Sequence, residues 1–146
     1  MKTIKKLGIL LGLFAFMSLN AQEVTDYDLQ NFAKAYKEMM LLSSKAQNEM
    51  TEIIEKEGME LEVYHAINAS KDADADFEPD VSADNYKKFD KIQPKIQAVQ
   101  DRLEADVEKA YLRHDLSKQD YRAIAERVKM DQLLQIKLEK MMGSLR

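Results

Sequence analysis

An internal repeat constrains the fold of this chain more than any other feature of its sequence. Residues 24–69 and 81–126 align without a gap at an offset of 57 residues (81 minus 24). The identities at this offset include Val24 with Val81, Phe32 with Phe89, Lys34 with Lys91, Tyr64 with Tyr121, Ala66 with Ala123 and Ile67 with Ile124. Apolar character is also kept where the residues differ. A repeat whose apolar positions stay in register predicts two structural units of the same kind.

The composition and the spacing of apolar residues favour helices. Glycine and proline are sparse, with 4 and 2 in the whole chain, so long uninterrupted helices are expected. From Leu29 to Ile53, mainly apolar residues recur at alternating intervals of three and four, which is the period of one helix face. The first repeat therefore predicts a long helix over about residues 27 to 57 and a short one over about 61 to 70.

The second repeat predicts the same hairpin, with a long helix over about residues 83 to 113. Pro94 lies inside that helix and removes a backbone donor, so a bend is expected there. Ser117 and Asp120 have the spacing of a capping pair at the start of the next helix. Apolar residues continue to Met142, and Asp131 can start a fresh helix.

The predicted fold class is therefore all-α. It is a helical bundle of two tandem-duplicated helical hairpins, each a long helix plus a short helix, with a C-terminal helical extension.

The N-terminus has the pattern of a secretory signal peptide. In residues 1–21, three lysines precede an apolar run that extends from Leu7 to Met17. This run is too short for a membrane-spanning helix, which needs roughly 20 apolar residues. We expect cleavage after Ala21 and export of residues 22–146 as a single helical domain to the periplasm or the cell exterior. No stable membrane span is expected after removal of the signal.

The charge and the absence of cysteine narrow the function classes. Removing the signal with its three lysines leaves 19 basic residues (22 minus 3) against 26 acidic ones, a net charge of −7. An acidic chain argues against a nucleic-acid partner, which binds a clustered basic surface. The absence of cysteine excludes a disulfide framework and a thiolate metal site.

The polar residues form no recognisable catalytic pattern. His65 and His114 occupy non-equivalent positions of the two repeats, and neither has a second histidine at helical ligand spacing. Ser117 is better explained as a helix cap than as a nucleophile, which needs a base held beside it. Isolated glycines cannot form a phosphate-binding loop. We therefore expect no enzyme activity, no catalytic or cofactor-binding residues and no cofactor.

The acidic linker between the repeats, residues 71–80, is the local candidate for a metal site. Three aspartates match positions 1, 3 and 5 of a calcium loop: Asp72, Asp74 and Asp76. The match then fails, because Phe77 replaces the glycine of position 6 and Ala83 the glutamate of position 12. A solvated connector is the alternative to calcium binding.

Methionines and the C-terminal segment raise two further alternatives. Seven of the nine methionines lie beyond the signal, among them the pairs Met39-Met40 and Met141-Met142. Their helical spacing favours a place in the core, with a pliable peptide-binding groove or a copper site as alternatives. The broad apolar face of the last segment favours packing against the bundle over lying on a membrane.

Several motifs of the chain resemble those of the domain of unknown function 4168 family. They are Phe-Ala-Lys-Ala-Tyr at 32–36, Glu-Gly-Met at 57–59, and the tyrosine–isoleucine pairs Tyr64 with Ile67 and Tyr121 with Ile124. The similarity extends over roughly residues 24 to 142. It implies an exported bacterial helical protein with no assigned activity, so it transfers no site residue. Pro94 and the acidic linker depart from the family pattern.

These observations predict a non-catalytic protein-binding or structural role in the cell envelope. The partners would be envelope proteins or a second copy of the chain. The alternatives are a chaperone-like holdase for envelope proteins and a calcium-responsive binding module.

Overall fold

A computed structural model describes residues 23–72 and 79–145 of the protein. These residues form five α-helices: α1 (Asp26–Lys56), α2 (Leu61–Asp72), α3 (Ala83–Arg113), α4 (Lys118–Met130) and α5 (Gln132–Ser144). No strand occurs in the described residues, so the all-α class is confirmed. The expected signal peptide and the calcium candidates Asp74 and Asp76 lie outside the described residues, whereas Asp72 ends α2.

Equivalent side chains start the two long helices. Thr25 Oγ1 accepts a hydrogen bond from Asp28 N at 3.1 Å, and the Asp28 carboxylate accepts one from Thr25 N at 3.0 Å. At the matching position of the second repeat, Ser82 Oγ accepts from Asn85 N at 3.3 Å. Each cap satisfies one of the backbone N–H groups that a helix start leaves unpaired.

The two long helices also end in the same left-handed turn. Gly58 and Asp115, which match in the two repeats, have φ values of +67° and +53°. Each turn is closed by a bond that reaches back five residues: Met59 N to Ile54 O at 3.2 Å, and Leu116 N to Tyr111 O at 3.0 Å. Asp115 holds this conformation without the freedom of glycine. The repeated sequence therefore has repeated local geometry even where the residues differ.

Pro94 does not interrupt α3. The helix is continuous from Ala83 to Arg113, and the proline lies at its exposed surface. The expected bend at this position stays a prediction.

The core consists of two clusters, and each of them combines residues from both repeats. The first cluster joins the C-terminal half of repeat one to the N-terminal half of repeat two: Ala46, Met50, Ile54, Met59, Tyr64 and Ile67 with Phe89, Ile92, Ile96 and Val99. The second cluster has the opposite arrangement: Leu29, Phe32, Ala35 and Met39 with Ala110, Tyr111, Leu116 and Ile124. The long helices α1 and α3 therefore run antiparallel, and neither repeat completes a core by itself.

Two matching ring contacts tie the repeats together. Tyr64 packs on Phe89 with ring centroids 5.2 Å apart, and Tyr121 packs on Phe32 at 4.6 Å. Each tyrosine belongs to one repeat and each phenylalanine to the other, so the second contact is the first with the repeats exchanged. Tyr64 is buried, and Tyr121 is only partly buried. Close aromatic pairs stabilise a core beyond the burial of their surface.

A break at Asp131 separates α4 from α5. The inner apolar residues of α4 end at Val128, and those of α5 begin six residues later at Leu134. In one straight helix this spacing would place the two side chains roughly 120° apart around the axis. The break lets both face the second cluster. Asp131 Oδ1 caps the new helix by accepting from Leu133 N at 2.9 Å.

α5 packs against α1 and α4 on a surface that is not repeated elsewhere in residues 23–72 and 79–145. We call this surface the dock; it lies along Asp26, Ala33 and Lys37 of α1 and Val128 of α4. The matching residues of Ala33 and Val128 are Asp90 and Lys71, which form an ion pair at 3.3 Å beside α3. Ala33 is fully buried, whereas Asp90 is exposed. Polar residues thus occupy the positions that match the apolar residues of the dock.

Candidate interaction surface

The polar residues singled out by the sequence do not meet at one place. His65 is exposed, with its ring edge-on to Tyr64 at 5.7 Å. His114 binds Glu38, and Ser117 caps α4 by accepting from Asp120 N at 3.0 Å. Across residues 23–72 and 79–145, no three or more histidine, aspartate or glutamate side chains converge where they could hold a metal ion.

The best-built polar cluster joins α1 to the end of α3. Glu38 accepts one hydrogen bond, from Arg113 Nη2, and its other carboxylate oxygen is 2.8 Å from His114 Nε2. The bond from Arg113 is the main reason that the pKa of Glu38 lies below its ordinary value. No spacing along the chain indicates this contact, because the residues are 75 and 76 positions apart.

We call this contact between α1 and the end of α3 the clamp. A matching ion pair lies at the other end of the bundle, with the positive and negative residues exchanged. Lys95 binds Glu57, and this bond lowers the pKa of Glu57. Lys95 matches Glu38 and Glu57 matches His114 at the offset of 57. Comparing the two repeats could have revealed this pairing from sequence. An ion pair thus joins the first long helix to the second near each end of the bundle, with the charges reversed between the two ends. The Glu38 cluster therefore has a structural role.

Replacing Glu38 should change the acid stability of the protein. The carboxylate has a lowered pKa in the folded state, so its contribution is present above the unfolded value and is lost as pH falls through the folded value. Glu38→Gln should lower the free energy of unfolding by roughly 0.5–1 kcal/mol at neutral pH. The loss should shrink at acid pH, as the wild-type carboxylate becomes protonated too.

Urea unfolding of both proteins at the two pH values measures this difference. Glu52→Gln is a suitable control, because Glu52 pairs only with exposed Lys56 at 3.4 Å. An equal loss for Glu38→Gln at neutral and acid pH would show that the carboxylate charge is not what stabilises the clamp.

The strongest candidate for a functional surface is the outward side of α5. Leu134, Leu138 and Met141 on its inner side pack against the second cluster. On the other side, Leu133 is 72% and Ile136 is 55% exposed, and Met130, just before the break, is 78% exposed. We call Met130, Leu133 and Ile136 the outer face. Single exposed apolar residues are ordinary, but a helix that is apolar on both sides is typical of a buried helix.

Lysines hold α5 in place and rim its outer face. Lys137 Nζ is 2.7 Å from Asp26 Oδ1, a contact that raises the pKa of Lys137. Lys37 donates to the carbonyl of Leu145 at the end of the helix. Lys140 lies four residues after Ile136, on the same side of α5, and is exposed. These contacts place α5 parallel to α1, with its middle near Asp26 and its C-terminal end near Lys37.

The methionines divide between the core and the surface. Met39, Met50 and Met59 are buried in the two clusters, as the helical spacing predicts. Met40 and Met130 are exposed. For Met130 the core position that helical spacing favours is wrong, because this residue ends α4 and is 78% exposed.

No described helix combines the length and the apolar character that are needed to cross a membrane.

The family model for DUF4168, a domain of unknown function, matches residues 25–138. The match includes both repeats, the dock and the whole outer face. No curated protein and no solved structure matches the chain.

Proposed function

The chain belongs to the DUF4168 family, and for it we propose the function of a non-catalytic, exported protein that binds a partner protein through the outer face of α5. The observation that carries the proposal is that Leu133 and Ile136 of α5, together with Met130 just before the break, are large apolar side chains that stay more than half exposed. Export to the periplasm or the cell exterior is supported by the signal pattern of residues 1–21.

The outer face offers enough apolar surface to anchor a partner. Burying a large apolar side chain contributes about 1.5–3 kcal/mol, and the outer face presents two such side chains on α5 and a third just before the break. Exposed Lys140 at its rim would select partners that carry a carboxylate nearby. A small apolar centre with a charged rim is the common composition of a protein interface.

Site-specific photocrosslinking tests the proposal. A photoreactive benzoylphenylalanine in place of Leu133 should capture one partner protein in the cell that makes this protein. The matched control places the same group at Leu112 on α3, because Leu112 is also 72% exposed. Capture from position 133 and not from position 112 would localise the partner to the outer face.

Binding of the captured, purified partner should then depend on the outer face. Leu133→Asp combined with Ile136→Asp should abolish binding, whereas Leu112→Asp should leave it unchanged. Equal binding by both variants would refute the proposal. So would binding to vesicles of anionic phospholipid with no protein captured, since the outer face would then contact a membrane.

A further inference from the structure

We call the break at Asp131, between α4 and α5, the hinge. Its bent conformation is stabilised locally by side-chain hydrogen bonds. Asp131 is its single non-helical residue, with φ −120° and ψ 108°. The Asp131 carboxylate accepts from Leu133 N and Leu134 N, and Gln135 Nε2 donates to the carbonyls of Val128 and Lys129. The hinge contains neither glycine nor proline. Nothing in the local backbone therefore prevents α4 and α5 from joining into one straight helix.

The contacts that hold α5 come from its dock. Lys137 pairs with Asp26 near the start of α1, and Lys37 binds the carbonyl of Leu145. Between them Ala33 is fully buried. The matching surface of the other repeat carries Asp90 and Lys71 and cannot receive an apolar helix in this way. The dock is thus specific for α5, and the α5 of another copy fits it equally well because the sequence is identical.

The apolar residues that flank the hinge are among the most exposed in the described chain. Met130 precedes Asp131 and is 78% exposed, and Leu133 follows it and is 72% exposed. When two copies exchange a terminal helix, their hinges run side by side across a two-fold axis. The residues next to the hinge then face their counterparts in the other copy. Met130 and Leu133 are where such an exchange would bury new apolar surface.

We propose that a second copy of this chain is the partner, and that the two copies exchange α5 so that each helix occupies the dock of the other chain. This inference rests on the proposed function, because the exchange covers part of the outer face. The contacts of Lys137 with Asp26 and of Lys37 with the carbonyl of Leu145 are kept in the exchanged dimer, where they join two chains. The new contact between the two hinges is what favours the dimer as the protein concentration rises.

Crosslinking between two differently labelled chains tests the exchange. The protein has no cysteine, so one chain carries Asp26→Cys and the other Lys137→Cys. After mixing at high concentration, a short bismaleimide should join the two chains. A single chain with both substitutions provides the positive control for the contact itself. Glu49→Cys mixed with Arg102→Cys is the negative control, because α1 and α3 do not exchange although Arg102 Nη2 is 2.6 Å from Glu49.

A hinge variant adds a second measurement. Insertion of a flexible Gly-Ser-Gly segment after Asp131 prevents α4 and α5 from joining into one helix and lets α5 return to its own dock, so the crosslink between chains should fall to the level of the negative control. The inference would be overturned if the chains without the insertion gave no crosslink between positions 26 and 137 and were only monomeric in solution.

The same experiments separate this inference from the proposed function. A homodimer captured from position 133, together with the 26–137 crosslink, supports both. A homodimer without that crosslink overturns the exchange, and capture of a different protein overturns the choice of partner; both leave the proposed function standing. Capture of no protein from position 133 refutes the proposed function, and the inference with it.

Discussion

Phe89→Ala should lower the free energy of unfolding by roughly 3–5 kcal/mol, because it removes a fully buried ring from a core that cannot collapse around the cavity. Phe89 is 1% exposed and packs on Tyr64 of the other repeat at 5.2 Å. Lys71 Nζ lies over the face of this ring, 4.5 Å from its centroid. The change therefore removes a contact between repeats as well as apolar burial.

Phe32→Ala is the matched variant, since Phe32 has the same position in the first repeat and is 4% exposed. It should cost a similar amount through the second cluster. Urea unfolding followed by far-UV circular dichroism measures both, with Tyr27→Ala on the exposed start of α1 as the control. Each variant should keep a single transition. A biphasic curve, with one cluster unfolding before the other, would contradict a core shared between the repeats.

The helices could be predicted from the sequence because their signals are local. The predicted long helix of the second repeat, about residues 83 to 113, agrees with α3 as observed (Ala83–Arg113), and the other predicted bounds differ by at most two residues. The break at Asp131 follows from a change in the phase of the apolar residues. A periodic pattern, however, does not tell which halves of two repeats will meet. The crossed arrangement of the clusters needed the structure.

The outer face of α5 shows why the candidate site was harder to predict. Leu133 and Leu134 are adjacent and equally apolar, but one is exposed and the other packs in the second cluster. A helix that is apolar on both sides has no dominant face, so its sequence does not say which side is turned inward. The assignment depends on Asp26 and Lys37, which are more than 90 residues away in sequence and fix the rotation of α5.

The differences between the repeats carry more information on function than their identities. The identical residues Phe32, Phe89, Tyr64 and Tyr121 make the matching ring contacts of the core. By contrast, the change from Lys71 and Asp90 to Val128 and Ala33 creates a place for one additional helix. The identical residues thus build the core of the bundle, and the dock with its α5 is what distinguishes one end of the bundle from the other.

Cutting the chain between residues 72 and 79 should leave the protein folded, whereas separating the two pieces should unfold both. Each core cluster takes about half of its buried residues from each repeat. A single repeat would therefore expose Phe32 or Phe89 and would have to keep its helices without tertiary packing. Isolated helices in water are marginal even at favourable length, because most helix stability in proteins comes from packing of the apolar face.

A protease site inserted in this segment makes the experiment direct. After cleavage, size-exclusion chromatography should show one complex of both fragments, with the helicity of the intact chain. Once separated in urea and refolded singly, each fragment should lose its helical signal and its cooperative transition, and mixing should restore both. The Phe89→Ala variant of the second fragment should restore them only weakly, since Phe89 provides the contact with Tyr64. Cooperative unfolding of either fragment alone would mean that one repeat forms a sufficient core, which the crossed clusters argue against.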